Sequence, residues 1–203
     1  MKEDYVQELT KPIIFEQGNL TKSFINVKEE KLKYLDRDEI NEIIDQVKGA
    51  KEKLLFIFMW MTGCRVTEVI SVRKRDIDFK NGEIKIRWLK NRKYLYRKIP
   101  IHNRLNQILS LTTVGLSLDD RLFPYSRQRV WQIFKKHRPL GNNWMHPHTF
   151  RHSFAINYLR QADTANDLVI LRKLMGHSSI LTTMKYLDIV PVDQAKQLAK
   201  IEF

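Results

Sequence analysis

The chain has 203 residues, 43% of them hydrophobic and 29% charged, with 36 Lys and Arg against 23 Asp and Glu and a net charge of +13. This length and composition suit one globular domain, with or without an appendage, and exclude a mainly disordered chain. A lone cysteine, Cys64, excludes a disulfide framework and an all-cysteine zinc site, and the longest apolar run, Leu54 to Met61, is too short to span a bilayer. No signal-peptide pattern opens the chain, so a cytoplasmic location is expected.

Residues 1–33 are polar and without a clear period, and read as an N-terminal tail or linker. Asp36 is placed to cap a helix, with Glu39 three residues on and Ile40, Ile43, Ile44 and Val47 at helical spacing; Gly49 would close it. Lys53 to Met61 is apolar all round, which predicts a buried helix broken at Thr62-Gly63. A further helix is expected near Thr67, carrying Val69, Ile70 and Val72. The period then changes. Ile84, Ile86 and Trp88 alternate with Glu83, Lys85 and Arg87, after a turn signal at Asn81-Gly82. Leu95, Ile99 and Ile101 continue the period of two beyond a basic connection, 89–93. This predicts a small sheet with its basic residues on the exposed face and in the turn. Helices return with an apolar stripe at Val130, Trp131, Ile133, Phe134 and His137. Pro147 starts a helix over 149–159, and another covers Leu168 to Met175 and stops at Gly176. Ser178 or Ser179 would cap a short helix running through Tyr186. Residues 191–203 form a last amphipathic segment, expected to dock on a neighbouring protomer. The fold class is mostly α with a small antiparallel β-sheet, an α+β domain over 34–190.

The positive charge is clustered. Residues 85–98 hold seven basic residues and no acidic one, and 127–138 hold five and none. Aromatic side chains lie between them. That pattern suits a phosphate backbone better than a uniformly solvated face, and points to nucleic acid rather than a membrane. Arg87, Arg92, Lys93, Arg127, Arg129, Lys135 and Lys136 are the expected DNA-contacting cations.

Several chemistries lack their residues. There is no phosphate-cradling glycine loop, no G-x-S-x-G elbow and no acidic cluster for two metals. His148 and His152 stand at i, i+4 with His146 just before them, a spacing that can hold zinc, but no Glu lies in between to make the H-E-x-x-H pattern. No metal or cofactor is expected. What remains is Arg65 after a helix break, Lys90 in a basic turn, His148 and Arg151 at i, i+3, His177 after a helix stop, and Tyr186. Taken singly, each has an ordinary structural explanation. Together they fit phosphodiester chemistry: arginine forks neutralise non-bridging oxygens, a phenol attacks phosphorus, and a Lys or His protonates the departing oxygen. Neighbouring cations would favour the phenolate.

Thr62-Gly63-Cys64-Arg65-Val66-Thr67-Glu68, His148-Thr149-Phe150-Arg151-His152-Ser153-Phe154-Ala155 and the segment from Leu174 through Met175-Gly176-His177 to Lys185-Tyr186 resemble the signature boxes of the tyrosine recombinases, the phage-integrase and Xer-type enzymes. The boxes stand in the family's order over 34–190. The resemblance implies a tyrosine-recombinase-like catalytic domain that breaks and rejoins DNA through a 3′-phosphotyrosyl intermediate, without metal or ATP. It implies that Arg65 and Arg151 hold the scissile phosphate of double-stranded DNA, that His148 and His177 contact the phosphate oxygens and assist proton transfer, that Tyr186 is the nucleophile, and that Glu68 supports the arginine. Lys90, with Lys93 as its alternative, would be the general acid. A homotetramer on DNA, monomeric when free, is implied too. Relatives usually carry a helical core-binding domain ahead of the catalytic one. Only some 33 residues precede Tyr34, so a truncated, minimal or catalytic-domain-only form is expected. They also frequently carry a His two places after the tyrosine, where this chain has Asp188. A type IB topoisomerase-like relaxase and a non-catalytic DNA-binding regulator are the competing readings.

Overall fold

In a computed structural model the described residues are 32–190, except 91–92 and 163 and the side chains of Leu89, Lys90 and Ala165. Residues 1–31 of the 1–33 tail and the amphipathic segment (191–203) lie outside them. The organised chain starts a little before Tyr34: the Leu35 N–H donates to Ser153 Oγ at 2.8 Å, and Leu32 and Tyr34 pack on buried side chains.

Helix α1 (Arg37–Gln46) begins as the capping signal requires. Asp36 Oδ1 accepts the N–H groups of Asp38 and Glu39, and Glu39 Oε2 accepts that of Asp36 at 2.7 Å. Gly49 does not close it. Val47 does, and Gly49, extended at φ −76°, is the N-cap of α2 (Ala50–Thr62). Helix α2 is the buried helix expected from its all-round apolarity. Its Phe56 ring stacks on Phe134 at 4.4 Å and meets Phe150 edge-on at 5.3 Å, so three helices share one aromatic core. Gly63, left-handed at φ 60°, ends α2, and α3 (Val66–Val69) is a single turn that stops before Val72.

A 3-10 turn at Lys74–Asp76 leads into a three-stranded antiparallel sheet, β1 (Ile77–Asp78), β2 (Glu83–Lys90) and β3 (Lys93–Pro100), in the order β1-β2-β3. Strand β1 was not expected. The β2–β3 ladder pairs Ile84 with Ile99, Ile86 with Arg97 and Trp88 with Leu95, and extends to the pair Lys90 and Lys93. The strands therefore run into the segment read as a connection. Arg97 shares the face of buried Ile99, so not every basic residue of the sheet points outward.

Helix α4 (Asn103–Thr112), absent from the expected elements, buries Leu105 and Leu109. Helix α5 (Arg127–Lys136) is capped by Ser126 Oγ and buries Val130, Ile133 and Phe134, whereas Trp131 is largely exposed and lies against the His146 ring. Helix α6 (Pro147–Leu159) starts at its proline. Helix α7 (Ala165–Met175) starts three residues before Leu168 and ends at left-handed Gly176. Helix α8 (Leu181–Met184) is one turn, with Ser179 Oγ accepting the Leu181 N–H. Tyr186 stands just beyond it in a turn, not on the helix. Its ring joins a second apolar cluster with Ala155, Ile156 and Leu159 of α6 and Leu171 and Met175 of α7. Among the described residues no helix is long and apolar enough to cross a membrane.

Candidate active site

Two helix ends and one buried ion pair build the site. The left-handed turn at Gly63 aims its carbonyl at α6, and the end of α7 aims that of Met175 the same way. Arg151 donates to both, Nη1 to Gly63 O at 2.6 Å and Nη2 to Met175 O at 2.7 Å. Helix C-terminal carbonyls are natural acceptors for a guanidinium, and two of them fix its plane. Nη2 also lies 3.0 Å from His177 Nε2. A guanidinium can only donate, so Nε2 accepts and the imidazole proton sits on Nδ1, which donates to Thr183 Oγ1 at 2.9 Å. Both His177 contacts are thereby assigned.

Arg65 is positioned by its own first turn. The Glu68 carboxylate accepts the Arg65 N–H at 2.8 Å and pairs with its Nη1 at 3.3 Å. Glu68 is itself held bidentately by Arg97, at 2.8 and 2.9 Å, and Arg97 Nε donates to Leu174 O at 3.0 Å. The Arg97–Glu68 pair is almost wholly buried, with side chains 9% and 1% exposed. It ties β3, α3 and the last turn of α7 together, so the loops bearing Arg65 and His177 are set against one another. Arg65 remains over a third exposed, with its guanidinium open to a ligand. A cleft of about 790 Å³ lies beside it, lined by Arg65, Arg87, Arg97, Arg172, Lys173 and His177, with Glu68 the one carboxylate.

Tyr186 is buried. Its Oη is 3.0 Å from His152 Nδ1, and its ring lies nearly parallel to that of His177, 6.5 Å between centroids. Burial, then the charges of Arg151, Arg65 and Arg97, pushes His177 down to about 4. Burial, then His148, His146 and Arg151, pushes His152 down to about 4. Burial also lowers His148, helped by His146 and the arginines. Arg151 is pulled down to about 10 by burial and then Arg65. For Glu68, burial opposes ionisation, but the hydrogen-bonded Arg97 overrides it and holds the carboxyl below its ordinary value. The phenol behaves contrary to expectation. Burial raises Tyr186 and outweighs the pull of Arg151 and Arg65, so the resting side chain is protonated.

The structure thus gathers Arg65, Glu68, Arg151, His177 and Tyr186. His148, in the first turn of α6, is open to solvent as a whole residue while its imidazole is partly covered among its neighbours, its ring 6.3 Å from that of His152. The zinc spacing comes to other uses: His152 Nδ1 is taken by Tyr186 and His146 Nδ1 by the His148 N–H. Among the described residues no group of three or more potential ligands is gathered for a metal ion. The side chain of Lys90 and all of Arg92 lie outside the described residues, while Lys93 is exposed at the start of β3. Of the other expected DNA contacts, Arg87 covers the Tyr94 ring at 4.7 Å, and Arg127, Arg129, Lys135 and Lys136 are exposed. Arg129 and Lys136 also pair with Glu52, at 3.7 and 3.1 Å. Sequence reasoning missed Arg97 and His152. Arg97 could have been found, because the alternation Leu95, Arg97, Ile99 turns a charge inward. His152 stands beside Arg151, and its i, i+4 spacing from His148 suggests only a metal ligand.

The sequence profile of the phage integrase family matches residues 33–191. The chain belongs to the phage integrase family. It is 28% identical over 174 residues to the tyrosine recombinase XerA of Saccharolobus solfataricus, an alignment covering 86% of this chain and 58% of that protein. The chain therefore spans little more than half the length of that relative. Among solved structures, the Tn1549 transposon integrase in complex with a circular intermediate DNA superposes with a TM-score of 0.68 at 15% identity, covering 87% of this chain and 68% of the other. The catalytic domain of bacteriophage HP1 integrase does so with a TM-score of 0.61 at 18% identity, covering 84% of this chain and 95% of that domain. At these identities the superpositions establish the fold, which is mostly helical with a small antiparallel sheet.

Proposed function

We propose that residues 34–190 are the catalytic domain of a site-specific DNA recombinase or integrase. The observation that carries this reading is the meeting of Tyr186, Arg151 and His177 in one buried cluster, with Arg65 beside it. A phosphodiester has no use for a buried phenol unless the phenol attacks it, and a DNA-binding regulator needs only the positive charge. Arg65 and Arg151 take the non-bridging oxygens of the scissile phosphate, meeting its developing negative charge with fixed guanidinium forks. His177, anchored by its bond to Thr183, accepts from Arg151 Nη2 and so fixes the guanidinium that meets the same group. Tyr186 attacks phosphorus, giving a 3′-phosphotyrosyl link and a 5′-oxygen that takes a proton from Lys90 or Lys93. A 5′-hydroxyl of a partner strand then attacks that link and restores the phosphodiester. The bond energy stays in the covalent link, so no ATP is consumed, and the arginines do the work a metal would otherwise do. The cationic cleft and Arg127, Lys135 and Lys93 follow the DNA backbone. Work on DNA in the cytoplasm, as a tetramer through the 191–203 segment, completes the reading, and residues 1–33 serve as a linker.

The test is a nicked suicide DNA duplex and a denaturing gel. The wild-type chain should yield a protease-sensitive DNA–protein band, and Tyr186→Phe should bind the same duplex and yield none. A covalent band from the Phe variant would sink the assignment. A two-site exchange assay then separates recombination from relaxation.

A further inference from the structure

The Tyr186 proton must leave when its oxygen attacks phosphorus, and both nitrogens of His177 are already engaged, by Arg151 and Thr183. Tyr186 Oη is within hydrogen-bond distance of the His152 side chain, 3.0 Å from its Nδ1. His152 follows Arg151 on α6, so the helix that sets the guanidinium also sets this imidazole. The direction of the hydrogen bond follows from the chemistry of the pair. A phenol is a far stronger acid than a neutral imidazole N–H, and an imidazole nitrogen is a far stronger base than a phenol oxygen. The O–H therefore donates, Nδ1 accepts, and the imidazole proton resides on Nε2. Donating in that direction leaves the oxygen's lone pairs for phosphorus.

We propose that His152 is a further catalytic residue, the acceptor of the Tyr186 proton during attack on the scissile phosphate. This rests on the reading of Tyr186 as the nucleophile. The Oη–H bond breaks as the Oη–P bond forms, and the proton passes to Nδ1. The P–O5′ bond breaks, and its electron pair leaves on the 5′-oxygen, which is protonated by Lys90 or Lys93. On rejoining, the incoming 5′-hydroxyl gives its proton to the neutral lysine as the O5′–P bond forms, and the imidazolium returns its proton to the tyrosine oxygen as the Oη–P bond opens. In the resting protein the proton stays on oxygen, because burial raises the phenol while burial, His148, His146 and Arg151 hold His152 neutral. Transfer awaits bond formation at phosphorus, when the phenol oxygen loses its basicity. An idle tyrosine is thus kept protonated and aimed.

His152→Asn keeps a polar atom near the Nδ1 position and removes the base. It should bind the suicide duplex as the wild type does and cleave about 100- to 10,000-fold more slowly, the range for loss of a general base. A polyfluorinated tyrosine at position 186, whose phenol ionises near neutral pH, needs no acceptor and should restore at least tenfold of that loss. A merely structural role would not be rescued. Cleavage within a few-fold of wild type, or a loss that the acidic phenol leaves untouched, would overturn the assignment. Should His152→Asn fail to fold, nitrogen-15 NMR of the wild-type histidines decides. An Nε2–H tautomer whose Nδ1 shift changes in Tyr186→Phe upholds the inference, and an Nδ1–H tautomer defeats it. If the wild type itself forms no adduct, the recombinase reading fails; an adduct undiminished in His152→Asn sinks this inference alone.

Discussion

Arg151 and Arg97 are chemically the same residue and do different work, and the difference lies in what each touches. Arg151 donates to two helix-end carbonyls and to His177, neutral acceptors that hold it without an ion pair. Arg97 spends its charge on Glu68. Replacing Arg151 with Ala should slow cleavage by about 100- to 1,000-fold, the cost of removing one transition-state donor, while DNA affinity falls much less. Arg97→Ala should instead be read in stability. It leaves the buried Glu68 carboxylate with only the partly exposed Arg65 as partner, which costs up to about 3–5 kcal/mol, and urea denaturation should register a correspondingly lower midpoint. A midpoint within experimental error of wild type would mean that water replaces the guanidinium. Lysine at position 97 keeps the charge but offers neither the bidentate fork nor the reach to Leu174 O, so it should recover only part of the loss.

At the level of elements, the site is assembled from terminations rather than from regular structure. Gly63 closes α2 and Gly176 closes α7, both left-handed, and each stop is also a close approach. A Cβ at Gly63 would run into the Phe154 ring, and one at Gly176 would lie 2.7 Å from Arg97 Nη1. Gly63→Ala therefore meets a backbone penalty of about 1–2 kcal/mol and a steric collision on top of it. It also moves the carbonyl that holds Arg151. Thermal unfolding should show a lower Tm, and cleavage by the protein that remains folded should fall as well. Gly115→Ala is a control of similar φ, 82°, with open space around it, and should show the backbone penalty alone. The β2–β3 turn gives another element-scale test, because Lys90 and Lys93 pair across it. A 5′-bridging phosphorothiolate leaves as a thiolate and needs little protonation. Whichever of Lys90→Ala and Lys93→Ala is rescued on that substrate supplies the acid. Arg151→Ala should gain nothing from it.

For the molecule as a whole, charge and protonation link the site to stability and to DNA. His177 and His152 are held near 4 in the folded chain against 6.5 for a free imidazole. The unfolded chain thus takes up protons below pH 6.5 that the folded chain refuses. Stability is fully present above that pH and is lost as the pH falls towards 4. His146 and His148, also lowered, act with the same sign. Urea midpoints should be lower at pH 5 than at pH 7.5, with the difference reduced in His177→Asn. DNA binding should weaken steeply with salt, with log affinity against log salt falling by about 0.9 per neutralised phosphate. Lys93→Ala and Arg127→Ala should each flatten that slope, and a slope near zero would remove the cationic cleft from DNA binding.

Much of this protein is legible in its sequence because local physics carries it. The capping box at Asp36 and Glu39, the apolar run of α2, the strand alternation around Ile84 and Ile86, and the glycine stops at 63 and 176 depend on neighbours within a few residues. The three boxes holding Arg65, Arg151 and Tyr186 are likewise contiguous stretches, so the family could be read from them. Tertiary structure decided what depends on distant partners. Whether Gly49 closes one helix or opens the next depends on where the first helix ends, and it ends at Val47. Whether a strand arginine faces water or Glu68 turns on a carboxylate 29 positions away. The protonation of Tyr186 was decided the same way, since a list of nearby cations favours the phenolate and only the packed site shows burial outweighing them. The His152–Tyr186 hydrogen bond joins residues 34 positions apart. Spacing along the chain says which side chains share a helix face, but only packing brings two faces together and sets how much water is left between them.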